Sequence, residues 1–211
     1  LLKEVPVLKY LRQQAIAKMK EKINMATDFD KVINRKGTHS LKYDFATVRG
    51  KKADILPLWV ADMDFQAPKA VRERLFEIVE HGIFGYSDTL EDYFRAVKSW
   101  YKRRFDWEIE SDWIIKTPGI VFALAMAVKA YTEPGESVLM LQPVYYPFRE
   151  VIEDNGRKLI GSPLKLEDGH YTIDFEDMEK KIRENAVKLL LFCSPHNPVG
   201  RVWKREDTCQ R

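Results

Sequence analysis

The sequence predicts an α/β protein, a mostly parallel sheet flanked by helices, and three observations carry that expectation. From Trp113 onward, short apolar runs alternate with stretches of helical periodicity. The helical stretches are long enough to act as crossover connections, which neighbouring parallel strands require. The run VKLLLFC at 187–193 is almost wholly apolar, as a strand buried on both faces of such a sheet should be.

The elements follow in order. Pro68 opens a helix with Val71, Leu75, Ile78 and Val79 on one face and Gly82 just past its end, so start and stop chemistry are both present. Asp88 followed by Glu91 predicts a capped second helix carrying Phe94, Val97, Tyr101 and Phe105. Trp113 to Thr117 is the first apolar strand, leading into an apolar helix over Ile120 to Tyr131. Ser137 to Leu141 gives the second strand, Val144 to Asn155 a helix ending near Gly156, and Lys158 to Leu164 the third strand. Asp168-Gly169 reads as a turn, Asp174 to Asn185 as a charged amphipathic helix, and Val187 to Cys193 as the fourth strand. A new helix is expected to begin near Glu206.

Composition narrows the function classes. Of 211 residues, 45% are hydrophobic and 32% charged, which is ordinary for a globular protein. Stretches without a charged residue reach only 12 residues (117–128, 137–148 and 189–200), short of the ~18 a membrane span needs, so no membrane partner is expected. Cys193 and Cys209 cannot form a disulfide framework or a four-cysteine zinc site. No metal is expected, and the expected location is cytoplasmic. The net charge is +3, but residues 1–24 carry six basic and two acidic residues, which leaves the remainder at −1. A body of that charge offers no electrostatic footprint for nucleic acid. The Lys-rich stretch itself, with Leu8, Leu11, Ala15 and Met19 at helical spacing, fits a surface helix, a targeting segment or a non-native leader. Met25-Ala26-Thr27-Asp28 reads like a start and favours the leader.

In parallel sheets ligands sit beyond the carboxyl ends of the strands, so the loops there are the places to seek chemistry. Thr117-Pro118-Gly119-Ile120-Val121 leads into a helix N-terminus whose free N–H groups and dipole suit an anion, with Gly119 allowing close approach. Neither a G-x-G-x-x-G nor a G-x-x-x-x-G-K-[ST] motif is present, so a phosphate would be held in another way. Gln142-Pro143-Val144-Tyr145-Tyr146-Pro147-Phe148 brackets three aromatics with prolines, a rigid surface on which a ring could stack or simply a packed core. Ser194-Pro195-His196-Asn197-Pro198-Val199-Gly200 fixes Asn197 at the sheet edge, where its amide can donate to a ligand oxygen. Its X-Pro bonds are candidates for cis geometry. His196 is expected to face solvent, and Asp62 and Asp64 to cap the Pro68 helix rather than to form an acid/base pair.

These residues carry a resemblance. SPHNPVGRVW at 194–203 resembles the S-P-x-N-P-x-G-x-x-W/F segment of fold-type I pyridoxal-phosphate (PLP) enzymes, the class I/II aminotransferase superfamily. The segment NRKGTHSLKYD (34–44), with ADMDF (61–65) and HGIFGYS (81–87), is similar to the branch holding bacterial cystathionine β-lyases, or cysteine-S-conjugate β-lyases. The resemblance runs from about Met25 to Asp207.

By that resemblance the cofactor is PLP, its phosphate resting on the backbone of Gly119, Ile120 and Val121, its ring stacking on Tyr145, and its phenolic oxygen hydrogen-bonded by Asn197. Tyr86 matches the tyrosine that reaches the phosphate of the partner subunit, which implies a homodimer, and Val60 and Ala61 match the loop near the carboxylate of the amino-acid substrate. The resemblance assigns residues 25–67 to the small domain and substrate loop, and 68–211 to a truncated PLP-binding large domain, after a leader or extension over 1–24. The implied activity is carbon–sulfur β-elimination from cystathionine or cysteine S-conjugates, giving pyruvate, ammonia and thiol. An aminotransferase would use the same loops. The family's Schiff-base lysine, the aspartate facing its pyridine nitrogen and its carboxylate-binding arginine match no position up to Arg211, so the chain alone is expected to be an inactive N-terminal half. A non-catalytic truncated or regulatory module is the alternative of another class.

Overall fold

The computed structural model describes residues 13–14 and 29–208, so most of the Lys-rich stretch, including Leu8, Leu11, Ala15 and Met19, lies outside the described residues. The described residues fall into two compact units divided between Asp88 and Thr89.

In the first unit a single helical turn, α1 (Leu41–Asp44), is followed by α2 (Lys69–His81). The Asp44 carboxylate closes the turn before α1 by accepting from the N–H groups of Gly37 at 2.9 Å and Ser40 at 3.0 Å. Helix α2 ends as its sequence predicts, with Gly82 in the left-handed conformation (φ 70°) and its N–H on the Ile78 carbonyl. The apolar stripe of α2 remains open: Val71, Leu75, Ile78 and Val79 are all exposed.

The second unit opens with α3 (Glu91–Phe105), which starts at Glu91 with Leu90, not Asp88, in the N-cap position and no side chain capping it. Residues Trp113 to Thr117 do not form a strand. A 3₁₀ turn occupies Ser111–Trp113, and the chain then runs without a ladder partner into α4 (Ile120–Tyr131), whose bounds match the expectation. An apolar run has the period of neither helix nor strand, and pairing is decided by whether a neighbour is there to accept it.

Strand β1 (Ser137–Gln142) leads to α5 (Pro147–Glu153) and β2 (Lys158–Pro163). Helix α5 begins three residues later than Val144, after a turn in which the Phe148 N–H donates to the Tyr145 carbonyl. A hairpin of β3 (Lys165–Glu167) and β4 (His170–Thr172) follows. Its turn, Asp168-Gly169, has positive φ at both residues (47° and 78°), the geometry of a tight two-residue hairpin. Helix α6 (Phe175–Glu184) is capped by Asp174, whose carboxylate accepts from the Asp177 N–H at 3.1 Å. Strand β5 (Leu189–Leu191) and a short α7 (Arg205–Thr208) complete the unit.

The sheet is parallel with order β2-β1-β5, so β1 is its centre. The two-residue alternation of β1 sends Val138 and Met140 to one face and Leu139 and Leu141 to the other, and all four are buried. On the first face they pack with Val128 of α4 and Phe148, Val151 and Ile152 of α5. On the second they meet Ile160, Leu164 and Trp203, with Met178 and Ile182 of α6 laid over them. Strand β5 is shorter than the apolar run that contains it and forms an edge among the described residues, so Leu190 and Phe192 stay partly exposed rather than buried on both sides.

Helix α4 runs antiparallel to the strands. Its carboxyl end is tied to the chain just before β2: Arg157 Nε donates to Thr132 Oγ1 at 3.0 Å, and Arg157 Nη2 donates to the Thr132 carbonyl. At about 1.5 Å per residue α4 is about 18 Å long, and six-residue β1 at about 3.3 Å per residue is about 20 Å. The amino end of α4 therefore lies toward the carboxyl ends of β1 and β5.

Candidate functional site

Three predicted ligand loops occur at that end of the sheet. Gly119 occupies the N-cap position of α4 with φ 156° and ψ 167°, a conformation that residues with a side chain rarely adopt. No side chain caps the helix, so the first-turn N–H groups of Ile120 and Val121 have no intrahelical acceptor. Among the described residues, and apart from its chain neighbours, nothing lies within 4 Å of the point where a Cβ at Gly119 would stand. The backbone conformation thus favours glycine, and the space on its Cβ side is open. Such a helix end can bind an anion.

The loop after β1 begins with the cis Gln142-Pro143 bond. Its three aromatics divide: Phe148 is buried in the core, whereas Tyr145 and Tyr146 are exposed, packed edge-to-face with ring centroids 5.1 Å apart. Tyr145 therefore presents part of its ring to solvent, as a stacking surface must.

The loop after β5 carries two cis bonds, Ser194-Pro195 and Asn197-Pro198, in the segment where the sequence suggests them. Asn197 is exposed, and its carboxamide makes no hydrogen bond among the described residues. His196 does not face solvent. It is 1% exposed, with Nε2 3.0 Å from the Pro143 carbonyl and Nδ1 3.2 Å from Trp203 Nε1. Desolvation pushes its pKa below the ordinary imidazole value, outweighing the Pro143 carbonyl contact, and keeps the ring neutral.

In the first unit, Val60 and Ala61 precede a compact ionic cluster. Arg35 Nη2 donates to Asp62 Oδ2 at 2.8 Å and Nη1 to Asp64 Oδ1 at 2.7 Å, while Lys42 Nζ donates to Asp64 Oδ2 at 2.9 Å. Lys42 also donates to the Asp62 carbonyl at 3.0 Å. Asp62 and Asp64 thus do not cap α2, whose N-cap position is Pro68 and which no side chain caps. The Lys42 ammonium, with Arg35 assisting, holds the Asp64 carboxyl down to about 2, and Arg35 lowers that of Asp62. Both carboxylates are held ionised and paired, so neither carries a proton to donate at neutral pH and each is a weaker base than a free carboxylate. Tyr86 stands fully exposed, its hydroxyl without a hydrogen bond among the described residues.

An open groove of about 550 Å³ between α3 and residues 108–110 is lined by Glu91, Arg95, Lys98, Lys102, Glu108 and other side chains. It shares no residue with the three loops, and its mixed charges pair across it, as Lys98 Nζ does with Glu110 Oε2 at 3.3 Å.

The sequence pattern of aminotransferase class I and II matches residues 53–210, three quarters of the chain and all three loops. The chain belongs to the class I and II aminotransferase family. Cystathionine β-lyase PatB of Bacillus subtilis is 47% identical over 180 residues, covering 85% of this chain and 46% of that protein. Among solved structures, PLP-containing cystalysin of Treponema denticola is 44% identical with a TM-score of 0.78, over 87% of this chain and 47% of its own. The PLP-bound C–S lyase of Staphylococcus hominis is 32% identical with a TM-score of 0.78, over 88% and 47%. The chain spans about half the length of the curated relatives it matches.

Two features of this family member escaped the sequence reading. The Arg35–Asp62–Asp64–Lys42 cluster was signalled only by two carboxylates at alternate positions of A-D-M-D-F, a spacing common in ordinary loops. The His196–Trp203 contact had its signal in the seven-residue spacing, which becomes a contact only when the 196–201 loop folds back on itself.

Proposed function

We propose that the protein is a PLP-dependent carbon–sulfur β-lyase acting on cystathionine or cysteine S-conjugates. The observation that carries this reading is the 47% identity to a cystathionine β-lyase over 180 residues, 85% of this chain. The donor set supports PLP as the cofactor. Free first-turn N–H groups at Ile120 and Val121 suit its phosphate, the half-open ring of Tyr145 suits stacking, and the unpaired amide of Asn197 suits its phenolic oxygen.

When bound, PLP supplies an electron sink for charge developing at the α-carbon of an amino acid. The chain's own residues hold and orient. The α4 dipole and first-turn N–H groups would hold the phosphate and partly offset its charge. Tyr145 would offer its ring face for stacking, and Asn197 would donate one hydrogen bond that favours the anionic oxygen. Val60 and Ala61 would face the substrate carboxylate, on a loop braced by Arg35 and Lys42 through Asp62 and Asp64. The net reaction consumes one water, breaks the Cα–H, Cβ–S and Cα–N bonds, and releases thiol, pyruvate and ammonia. A cytoplasmic homodimer, with Tyr86 reaching the partner's phosphate, completes the reading.

The test is to incubate the full-length protein and PLP with cystathionine and measure thiol and pyruvate. Stoichiometric release of both is expected. Amino-group exchange between amino and keto acids without thiol release would instead make it an aminotransferase.

A further inference from the structure

The loops after β1 and β5 are joined by one buried side chain with no part in the scheme above. The Pro143 carbonyl can only accept, so Nε2 of His196, 3.0 Å away, must donate, which leaves Nδ1 to accept a share of the single indole N–H of Trp203 at 3.2 Å. The ring proton of the neutral imidazole therefore sits on Nε2 and is donated to the Pro143 carbonyl at 3.0 Å. Trp203 is itself fixed, its Nε1 also lying 3.0 Å from the Cys193 carbonyl. The main chain closes around the same residue: His196 N–H donates to the Arg201 carbonyl at 2.6 Å, and Gly200 N–H donates to the His196 carbonyl at 2.8 Å. Tyr145 lies two residues beyond Pro143, and Asn197 is adjacent to His196. Any change in this link alters the separation of the two side chains that would contact the cofactor ring.

We propose that His196 is a positioning residue, a buried Nε2–H strut between the Pro143 carbonyl and Trp203 that sets the spacing of Tyr145 and Asn197 around the PLP ring. This rests on the PLP reading above. Replacing the ring by a hydrocarbon of similar size keeps the packing but cuts the strut, whereas a side chain that can donate to Pro143 restores half of it.

The experiment titrates PLP into the apo form of the full-length protein, reading the cofactor's visible absorbance and checking the fold by circular dichroism. His196→Phe should raise the Kd for PLP about tenfold, the consequence of losing one well-placed hydrogen bond and the alignment it gives. His196→Gln, whose amide can reach Pro143, should recover most of that loss. Wild-type affinity in His196→Phe, or no recovery in His196→Gln, overturns the proposal. If His196→Phe does not fold, Trp203→Phe replaces it, removing the N–H shared between His196 Nδ1 and the Cys193 carbonyl, and unchanged PLP affinity there likewise overturns it. Nitrogen-15 NMR of the imidazole should show a neutral ring protonated at Nε2, and a proton on Nδ1 would contradict the strut. Failure of the wild-type protein to bind PLP removes the cofactor reading and the strut's role together, while normal wild-type binding with an indifferent His196→Phe removes the strut alone.

Discussion

Asn197 and His196 are neighbours with opposite fates, and the difference governs what each substitution does. Asn197→Ala deletes an exposed donor and nothing that holds the loop, so PLP affinity should fall about tenfold, the worth of one hydrogen bond to a charged oxygen, with the melting temperature unchanged. Equilibrium dialysis against PLP, beside a thermal melt, checks both halves. Asp64 gives a pH-dependent prediction of its own. Its folded-state pKa is depressed from 3.8 to about 2 by Lys42 first and Arg35 second. A depressed carboxylate pKa contributes stability that is fully present above the unfolded value and is lost as pH falls toward the folded one. The melting temperature of wild type should therefore exceed that of Asp64→Asn at pH 7, with the gap closing between pH 3.8 and about 2. A gap that persists to pH 2 would mean the pairing contributes nothing. The residue pattern A-D-M-D-F displays the two carboxylates; that they pair with Arg35 and Lys42, distant in sequence, is a product of folding.

Elements divide by how many sides of them are covered. Leu139 at the centre of β1 is wholly buried, and Leu139→Ala should cost about 2–5 kcal/mol by lost transfer energy and a residual cavity, read as a fall in the urea midpoint. Leu190 on edge strand β5 is 39% exposed, and Leu190→Ala should cost well under half as much. Equal costs would show that β5 gains another neighbour. At the amino end of α4, Gly119→Ala forces a side chain into a backbone region that costs about 1–3 kcal/mol. Since nothing among the described residues crowds that position, the strain should appear as a shifted helix start and weakened phosphate binding more than as a packing clash. Phosphate protection against thermal unfolding, compared between wild type and the variant, distinguishes the two. The longer helices and β1 were readable from periodicity and punctuation, with α4 matched residue for residue, whereas the short α1 was not. Trp113 to Thr117 was not, because an apolar run becomes a strand only beside a partner with free hydrogen-bonding groups, and composition carries no trace of that partner.

At the scale of the molecule, the feature with the largest consequence is apolar surface left open. The stripe of α2 at Val71, Leu75 and Val79, the α4 residues Ile120 and Phe122, and both edges of the three-stranded sheet are exposed. Contiguous apolar faces and unpaired strand edges favour association. The 211-residue chain on its own should bind a hydrophobic dye and elute from a sizing column in a concentration-dependent position; a dye-silent monomer would show these faces closed. No described helix is long and apolar enough to cross a membrane. The sequence by itself determined the α/β class, the order of most elements and the three loops, because periodicity, turn residues and proline placement act locally and are written in neighbouring positions. Only the tertiary structure decided that β1 is central and β5 an edge, that α4 runs back along the strands, that the two aspartates are locked in ion pairs, and that His196 turns inward while Asn197 turns out. Those outcomes depend on contacts between residues far apart in the chain, where burial and geometry set which partner each group meets.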